Sequence, residues 1–347
     1  MTLTELSYYS RKALPFLIIF FLLFLIIFYL FKLFFLYLEL NRPKKISINP
    51  VFGKINKPLI NESIDKKFSY TLDTIEGEPI SASESAKVYF IPPTQAKLSY
   101  RERIYLIAKN FGINTELTRH KLFNNEAIFE DEQQTLKIDI TNYNFNYQYN
   151  LSGEEEFLIN NIIPSKEQIE SKAIDFLKDV GRYPDEFSQG KINIIYLKFD
   201  SLTKTLTIVE QPGQANLIEI DFYRPDIDGF PVVSTTYFNS QNYLVMVFDS
   251  NSSKVIKAQI RFYEKSDQEF GIYPVKNGNQ AWEELTQNKG IIVSAPENTD
   301  KITIKKMFFA YLDPNVYQEY FQPVYVFLGS NNFAAYVPAI SNDYLGN

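Results

Sequence analysis

The side chains able to do chemistry in this chain are few. There is one histidine, His120, and no cysteine. A Ser-His-Asp relay would have to use His120, which stands in Thr118-Arg119-His120-Lys121-Leu122-Phe123 with no Gly-x-Ser-x-Gly near it. It reads as an ordinary surface or turn histidine. One histidine also excludes a His-Glu-x-x-His hydrolase and any His-rich metal site, and the absence of cysteine removes disulfides, thiolate nucleophiles and Cys-based zinc sites. The 13 glycines are scattered, without the clusters that let bare backbone cradle a phosphate, so no nucleotide is expected by that route. Asp226-Ile227-Asp228-Gly229 has the outline of a calcium loop but lacks the remaining oxygen ligands. Lying between Arg224-Pro225 and Phe230-Pro231, it reads instead as a turn. Glu154 to Glu156 read as a solvated linker. The expectation is therefore no catalytic residue, no metal and no cofactor: a protein that is not an enzyme.

Two kinds of side chain keep other readings open. Among 41 acids, a pair about 5 to 10 Å apart in a cleft would suit a carboxylate-dependent envelope hydrolase. Tyrosine, with 24 copies, offers a rigid face and a polar tip suited to binding surfaces. Tyr317, Tyr320 and Tyr325, in the C-terminal unit, are the expected partner contacts.

The elements that must position these groups begin with an anchor. Leu14 to Phe31 is an uninterrupted run without a charge, and after Lys32 the apolar pattern continues to Leu38. A bilayer core needs roughly 20 apolar residues of helix, and Ala13 to Leu38 provides a helix of about 39 Å at 1.5 Å per residue. The run exceeds a signal-peptide core and has no small-residue cleavage site after it, so it reads as an uncleaved signal anchor. Residues 1–45 hold six Lys or Arg against two acids, while the whole chain carries −6. The rest is thus acidic, which disfavours nucleic acid as a partner. Lys and Arg near the membrane ends are more numerous on the C-terminal flank (Arg42, Lys44, Lys45) than on the N-terminal one (Arg11, Lys12). By themselves they favour an inside C-terminus, although long domains translocate regardless of such counts.

The pattern beyond the anchor predicts this division: an N-terminal tail (1–12), the transmembrane helix (13–40), a Pro- and Asn-rich stalk (41–66), a first α+β domain (67–152), a linker (153–164) and a second α+β domain (165–347). A helix follows Ser99, with Ser99 and Glu102 as a capping box and Gly112 as its C-terminal stop. Strands at 121–130, 135–140 and 143–151 complete a three-stranded meander. A second helix opens at Ser165 and Gln168 and stops at Gly181. A third spans Asn279 to Asn288 and ends at Gly290. Each helix is followed by antiparallel strands, so the fold class is α+β, with a single N-terminal membrane helix and repeated helix-plus-antiparallel-sheet units.

The last unit carries the most distinctive text: Gln280-Ala281-Trp282-Glu283-Glu284-Leu285, Ile302 to Tyr311, Gln322-Pro323-Val324-Tyr325-Val326-Phe327 and Phe333-Ala334-Ala335-Tyr336-Val337-Pro338-Ala339-Ile340. With Gly229-Phe230-Pro231-Val232 before it, residues 165–340 resemble the YycI/YycH-type membrane-anchored regulatory proteins of two-component systems and the related PepSY-like modules. The family's closing strand ends Ala-Ile-x-Gly, where this chain has Ala339-Ile340-Ser341-Asn342. The resemblance implies a cytoplasmic N-terminus and one span. It also implies an extracytoplasmic domain that modulates an envelope sensor kinase through contacts with another membrane or envelope protein. It thereby tips the orientation towards an outside C-terminus. The alternatives are an envelope structural scaffold and, less favoured, the hydrolase.

Overall fold

The structure is a computed structural model that describes residues 3–40, 47–61, 63–151, 158, 161–200, 202–249 and 252–346. The chain forms two compact units, Met1–Ser47 and Ile48–Asn347. The first is built on α1 (Leu3–Leu40). Within α1, Ala13–Tyr37 is long and apolar enough to cross a membrane, with a mean hydropathy of 3.0. The helix runs back through most of the expected tail, where Leu, Glu, Arg, Lys and Ala are good helix formers.

The second unit contains β1 (Ser69–Leu72), β2 (Ser85–Phe90), α2 (Tyr100–Asn110), β3 (Lys121–Phe123), β4 (Glu126–Glu130), β5 (Gln134–Asp139) and β6 (Phe145–Tyr149). Then come α3 (Lys166–Asp179), β7 (Ile192–Asp200), β8 (Thr205–Ile208), β9 (Leu217–Phe222), β10 (Val232–Val233), β11 (Tyr243–Phe248) and β12 (Ser253–Ile260). The last elements are β13 (Phe270–Pro274), α4 (Gly278–Thr286), β14 (Ile291–Ser294), β15 (Lys301–Leu312), β16 (Tyr320–Phe321), β17 (Pro323–Gly329) and β18 (Phe333–Pro338).

These strands make three sheets. A nine-stranded antiparallel sheet runs β3-β4-β5-β6-β12-β11-β9-β7-β8, a six-stranded one runs β1-β15-β17-β18-β14 with β10 also on β15, and β13-β2-β16 form a third. The fold class is α+β.

The nine-stranded sheet carries both α2 and α3 on one face. Ile104 and Ala108 of α2 and Ile169, Ala173 and Leu177 of α3 share a core with Ile138, Phe145, Ile220, Leu244 and Ile260. The two helices also touch each other: Asn110 Nδ2 donates to Asp179 O at 2.9 Å, and the Phe111 and Phe176 rings are 5.0 Å apart. The α4 helix packs Ala281 and Leu285 against β15, β17 and β18.

Several expectations are corrected by this pairing. Residues 67–152 and 165–347 do not fold as separate domains, because β6 pairs with β12 and β1 pairs with β15. Hydrogen-bond register between distant strands joins what local periodicity separates. Most of the expected linker lies outside the described residues, as do Glu154 to Glu156. The expected stalk is, from Ile48, part of the compact unit: Ile55 and Ile60 are buried, and Asn49 and Ile55 form β-bridges to Ile272 and Leu345. The meander has four strands, since Asn124 at φ 52° turns the chain between β3 and β4.

Helix ends follow the expected logic with two exceptions. Ser165 and Gln168 close a capping box, and Gly112 and Gly181 take left-handed φ at the C-terminal stops. Ser99 sits at ψ 10° instead of extended and makes no side-chain cap bond. The α4 helix is capped by Asn277 and Gln280, and Asn288, not Gly290, adopts the left-handed stop. Gly290 serves packing instead, since a Cβ there would lie 2.9 Å from Leu285 Cδ1.

Arg224 ties the sheets together. It follows β9, and its fully buried side chain donates from Nε to Asp313 Oδ1 at 2.8 Å, from Nη1 to Glu186 Oε2 at 2.7 Å and from Nη2 to Tyr263 O. Removing one partner of a buried ion pair leaves the other charge uncompensated and costs roughly 3 to 5 kcal/mol. Arg224→Ala is therefore expected to lower stability by about that amount. Urea unfolding of the full chain in detergent, read by the single tryptophan, Trp282 in α4, would check it. Because Trp282 is in the other sheet's core, a shifted midpoint there also tests the coupling between sheets.

Candidate functional site

With both helices on one face, the opposite face of the nine-stranded sheet is left for other work. Side chains alternate across a strand, so inward Leu136, Ile138, Ile220 and Leu244 place their neighbours on that open face. Register aligns one row across the strands: Asn193 on β7, Asp221 on β9, Tyr243 on β11, Gln259 on β12, Asn146 on β6 and Lys137 on β5. The next row holds Ile195, Glu219, Val245, Lys257, Gln148 and Thr135. Asn146 Nδ2 donates to Gln259 Oε1 at 3.1 Å, and Gln259 Nε2 donates to Gln241 O at 3.1 Å. Lys257 Nζ stands 5.4 Å from the Tyr243 ring centroid.

The face curves into a cleft of about 920 Å³ that reaches from β4 to β8. Its floor includes Leu217, Val245 and Ile256. Ile256 has no partner residue where Val245 pairs with Lys257 and Met246 with Val255, so it is the extra residue of a β-bulge. Bulges re-aim side chains in this way. Lys137, Gln148 and Lys257 are exposed around the cleft.

Two carboxylates belong to the same face. Burial pushes the Asp221 carboxyl up to about 7, helped by the charge of Glu219 and opposed by hydrogen bonds from Tyr223 and Asn193. Burial also raises Glu219, while Lys257 pulls it back. Asp221 is fully buried, with Tyr223 OH donating to its Oδ2 at 3.3 Å.

The expected contact tyrosines do not gather here. Tyr325 lies in β17, whose two faces belong to two cores, and is fully buried; its OH donates to Lys276 O at 2.7 Å. That burial removes it as a partner contact. Tyr320 is half-buried beside Phe52, with ring centroids 5.1 Å apart. Tyr317 is 40% exposed, and its OH donates to Ile91 O at 3.2 Å. Neither lines the cleft. The alternation of aromatics locates strands but cannot say that a strand is covered on both faces.

The other chemistry-bearing residues have local partners. His120 Nδ1 lies 3.2 Å from Tyr105 OH, and burial followed by the charge of Arg101 lowers its pKa. Asp228 and Gly229, at φ 52° and 81°, are the two central residues of a tight hairpin turn closed by reciprocal Ile227 and Phe230 backbone bonds. Both left-handed positions are what that turn requires. The Asp228 carboxylate accepts from Lys87 Nζ at 2.8 Å, Tyr89 OH at 2.7 Å and Tyr311 OH at 3.0 Å. Among the described residues, no group of three or more His, Cys, Asp or Glu is placed to hold a metal ion.

Lys137, Gln148, Asn146 and Lys257 were not singled out by motif. Their signal is the alternation in Gln134–Asp139, Phe145–Tyr149 and Ser253–Ile260, which marks a polar face without saying which strands share it.

No family model matches the chain, and no curated protein matches it. Among solved structures it is similar to an uncharacterized protein from Eubacterium rectale ATCC 33656. The two are 15% identical, the match covers 82% of this chain and 91% of that one, and the TM-score is 0.38. Similarity at that level assigns neither fold nor function.

Asp221 makes stability depend on pH. Its folded pKa of about 7 lies above the ordinary unfolded value of about 3.9. Its stabilising contribution is therefore fully present below about pH 3.9 and is lost as pH rises through about 7. Asp221→Asn should match the wild type near pH 4 and exceed it at pH 8 by on the order of 4 kcal/mol, measured by urea midpoints across that range. Equal pH slopes in the two proteins would contradict the assignment.

Proposed function

We propose that the protein is a membrane-anchored binding protein. Its domain faces the extracytoplasmic side and regulates another membrane or envelope protein, of the sensor-kinase kind, through protein contacts. The observation that carries this reading is the open face of the nine-stranded sheet. It forms a large cleft lined by exposed lysines and amides, in a chain whose helix Ala13–Tyr37 is long and apolar enough to anchor it. Pockets of roughly 300 to 1,000 Å³ with a few convergent polar groups are ordinary binding sites. The carboxylates support binding over hydrolysis. Of the acids that burial raises, Asp221, the one pushed furthest, to about 7, is fully buried and out of a substrate's reach, and Glu219 beside it is half-buried and held towards its charged form by Lys257. The orientation follows the resemblance to YycI/YycH-type regulators and PepSY-like modules, against the local Lys and Arg count.

A photo-crosslinking amino acid in place of Gln148 is expected to capture a second membrane or envelope protein in native membranes. One in place of Lys172, exposed on the α3 side, should not. Capture of no protein from either position would overturn the proposal. A topology reporter fused after Asn347 should be active only outside the cytoplasm, and cytoplasmic activity would overturn the orientation.

A further inference from the structure

The chemistry of the cleft changes in order along the sheet. At the β4 end its wall is acidic, with Glu126 and Glu130. Lys137 on β5 and Lys257 on β12 make the middle cationic, with Arg261 beyond β12 adding to it. On β7 and β8 the lining turns apolar, with Phe199 and Leu206, and Lys204 stands at the rim. Within the cationic zone, on β6 between β5 and β12, the exposed amide of Gln148 offers both a donor and an acceptor.

The cleft is lined from eight neighbouring strands. At about 4.8 Å per strand this is roughly 34 Å along the sheet, the length of about ten residues of extended chain at about 3.3 Å each. A polysaccharide presents the same groups at every repeat and would be matched by a lining that repeats. This lining does not repeat. A polypeptide can place a different side chain at each zone, and its amides pair with groups such as Gln148. Lying across the strands, it cannot add to the sheet as a further strand, so side-chain complementarity must supply the recognition.

We infer, on the reading of this face as the binding surface, that its occupant is an extended polypeptide segment of the partner protein. The segment is basic where it passes Glu126 and Glu130, acidic over Lys137 and Lys257, and apolar against Phe199 and Leu206. Opposite charges and apolar contact then coincide in a single direction of the chain, and reversing or scrambling the segment sets like charges together.

The test uses the full chain in detergent micelles and fluorescence anisotropy, with empty micelles as the blank. The probe is a fluorescein-labelled decapeptide of two lysines, glycine, two aspartates, glycine and four aliphatic residues. The control is the same composition scrambled. The patterned peptide should bind at least tenfold more tightly than the scrambled one. Lys257→Glu and Leu206→Asp, both at exposed positions, should each weaken it at least fivefold without moving the urea midpoint. Equal binding of the two peptides would overturn the inference, as would indifference to both substitutions. So would an N-acetylglucosamine oligosaccharide that binds the wild type and not Lys257→Glu. If Lys257→Glu abolishes crosslinking at position 148 in membranes while the peptides remain undistinguished, the binding face stands and the peptide class falls. If neither crosslinking nor peptide binding responds to Lys257→Glu, both fall.

Discussion

Arg224 is held between two acids and two aromatic rings, with its side chain fully buried. Its guanidinium lies 3.8 Å from the Phe262 ring centroid and 5.2 Å from that of Phe321. A guanidinium taken out of water is tolerated only when its donors are paired, and the partners come from four separate stretches: Glu186 in the turn after α3, Phe262 and Tyr263 after β12, Asp313 after β15, and Phe321 in β16. Burial lifts the Asp313 carboxyl to about 6 against the pull of Arg224. Satisfying this cation ties the end of the nine-stranded sheet to the end of β15, and Gln241, whose Nε2 donates to Pro314 O at 2.9 Å, joins the same two ends.

That junction has a consequence for the open face. The nine-stranded sheet has α2 and α3 on one side and is held at its β9 and β12 ends by the Arg224 cluster, and on the opposite side Asp221 and Val245 are buried while Lys137, Gln148 and Lys257 are exposed. A half-buried polar face normally meets water. Here the face bends into a cleft with the bulge at Ile256 in its lining, exposed at Lys137, Gln148 and Lys257, while Asp221, on the same face but outside the cleft, is dry enough for burial to raise its carboxyl to about 7.

Much of this was legible in the sequence. The long apolar helix was plain, because an uninterrupted apolar run of that length marks a helix long enough to cross a membrane. Two of the three helices that follow it announced their ends through Ser165 with Gln168, Gly112 and Gly181, since capping is a contest between residues a few positions apart. What was hidden depends on distant partners. The register of β6 on β12 makes one sheet out of two expected domains, and no local pattern encodes it. Tyr325 looked like surface because tyrosine has a polar tip, yet its hydroxyl is satisfied inside the core by the Lys276 carbonyl. Ser99 had the right sequence for a cap and the wrong backbone angle. The cleft residues are ordinary lysines and amides, and only the pairing gives them a common address.

The central claim is that β6 and β12 are neighbours in one continuous sheet whose open face is the recognition surface. The chain has no native cysteine, so a paired substitution reports on this alone. Asn146 and Gln259 are directly opposed, at a Cα separation of about 4.5 to 5.5 Å for such pairs, within disulfide reach. Asn193 lies in the same row four strands away, roughly 19 Å. Mild oxidation of the full chain in native membranes should close an intramolecular disulfide in the Asn146→Cys/Gln259→Cys protein and none in Asn146→Cys/Asn193→Cys. A first pair that stays reduced, or that links only separate chains, would contradict the account.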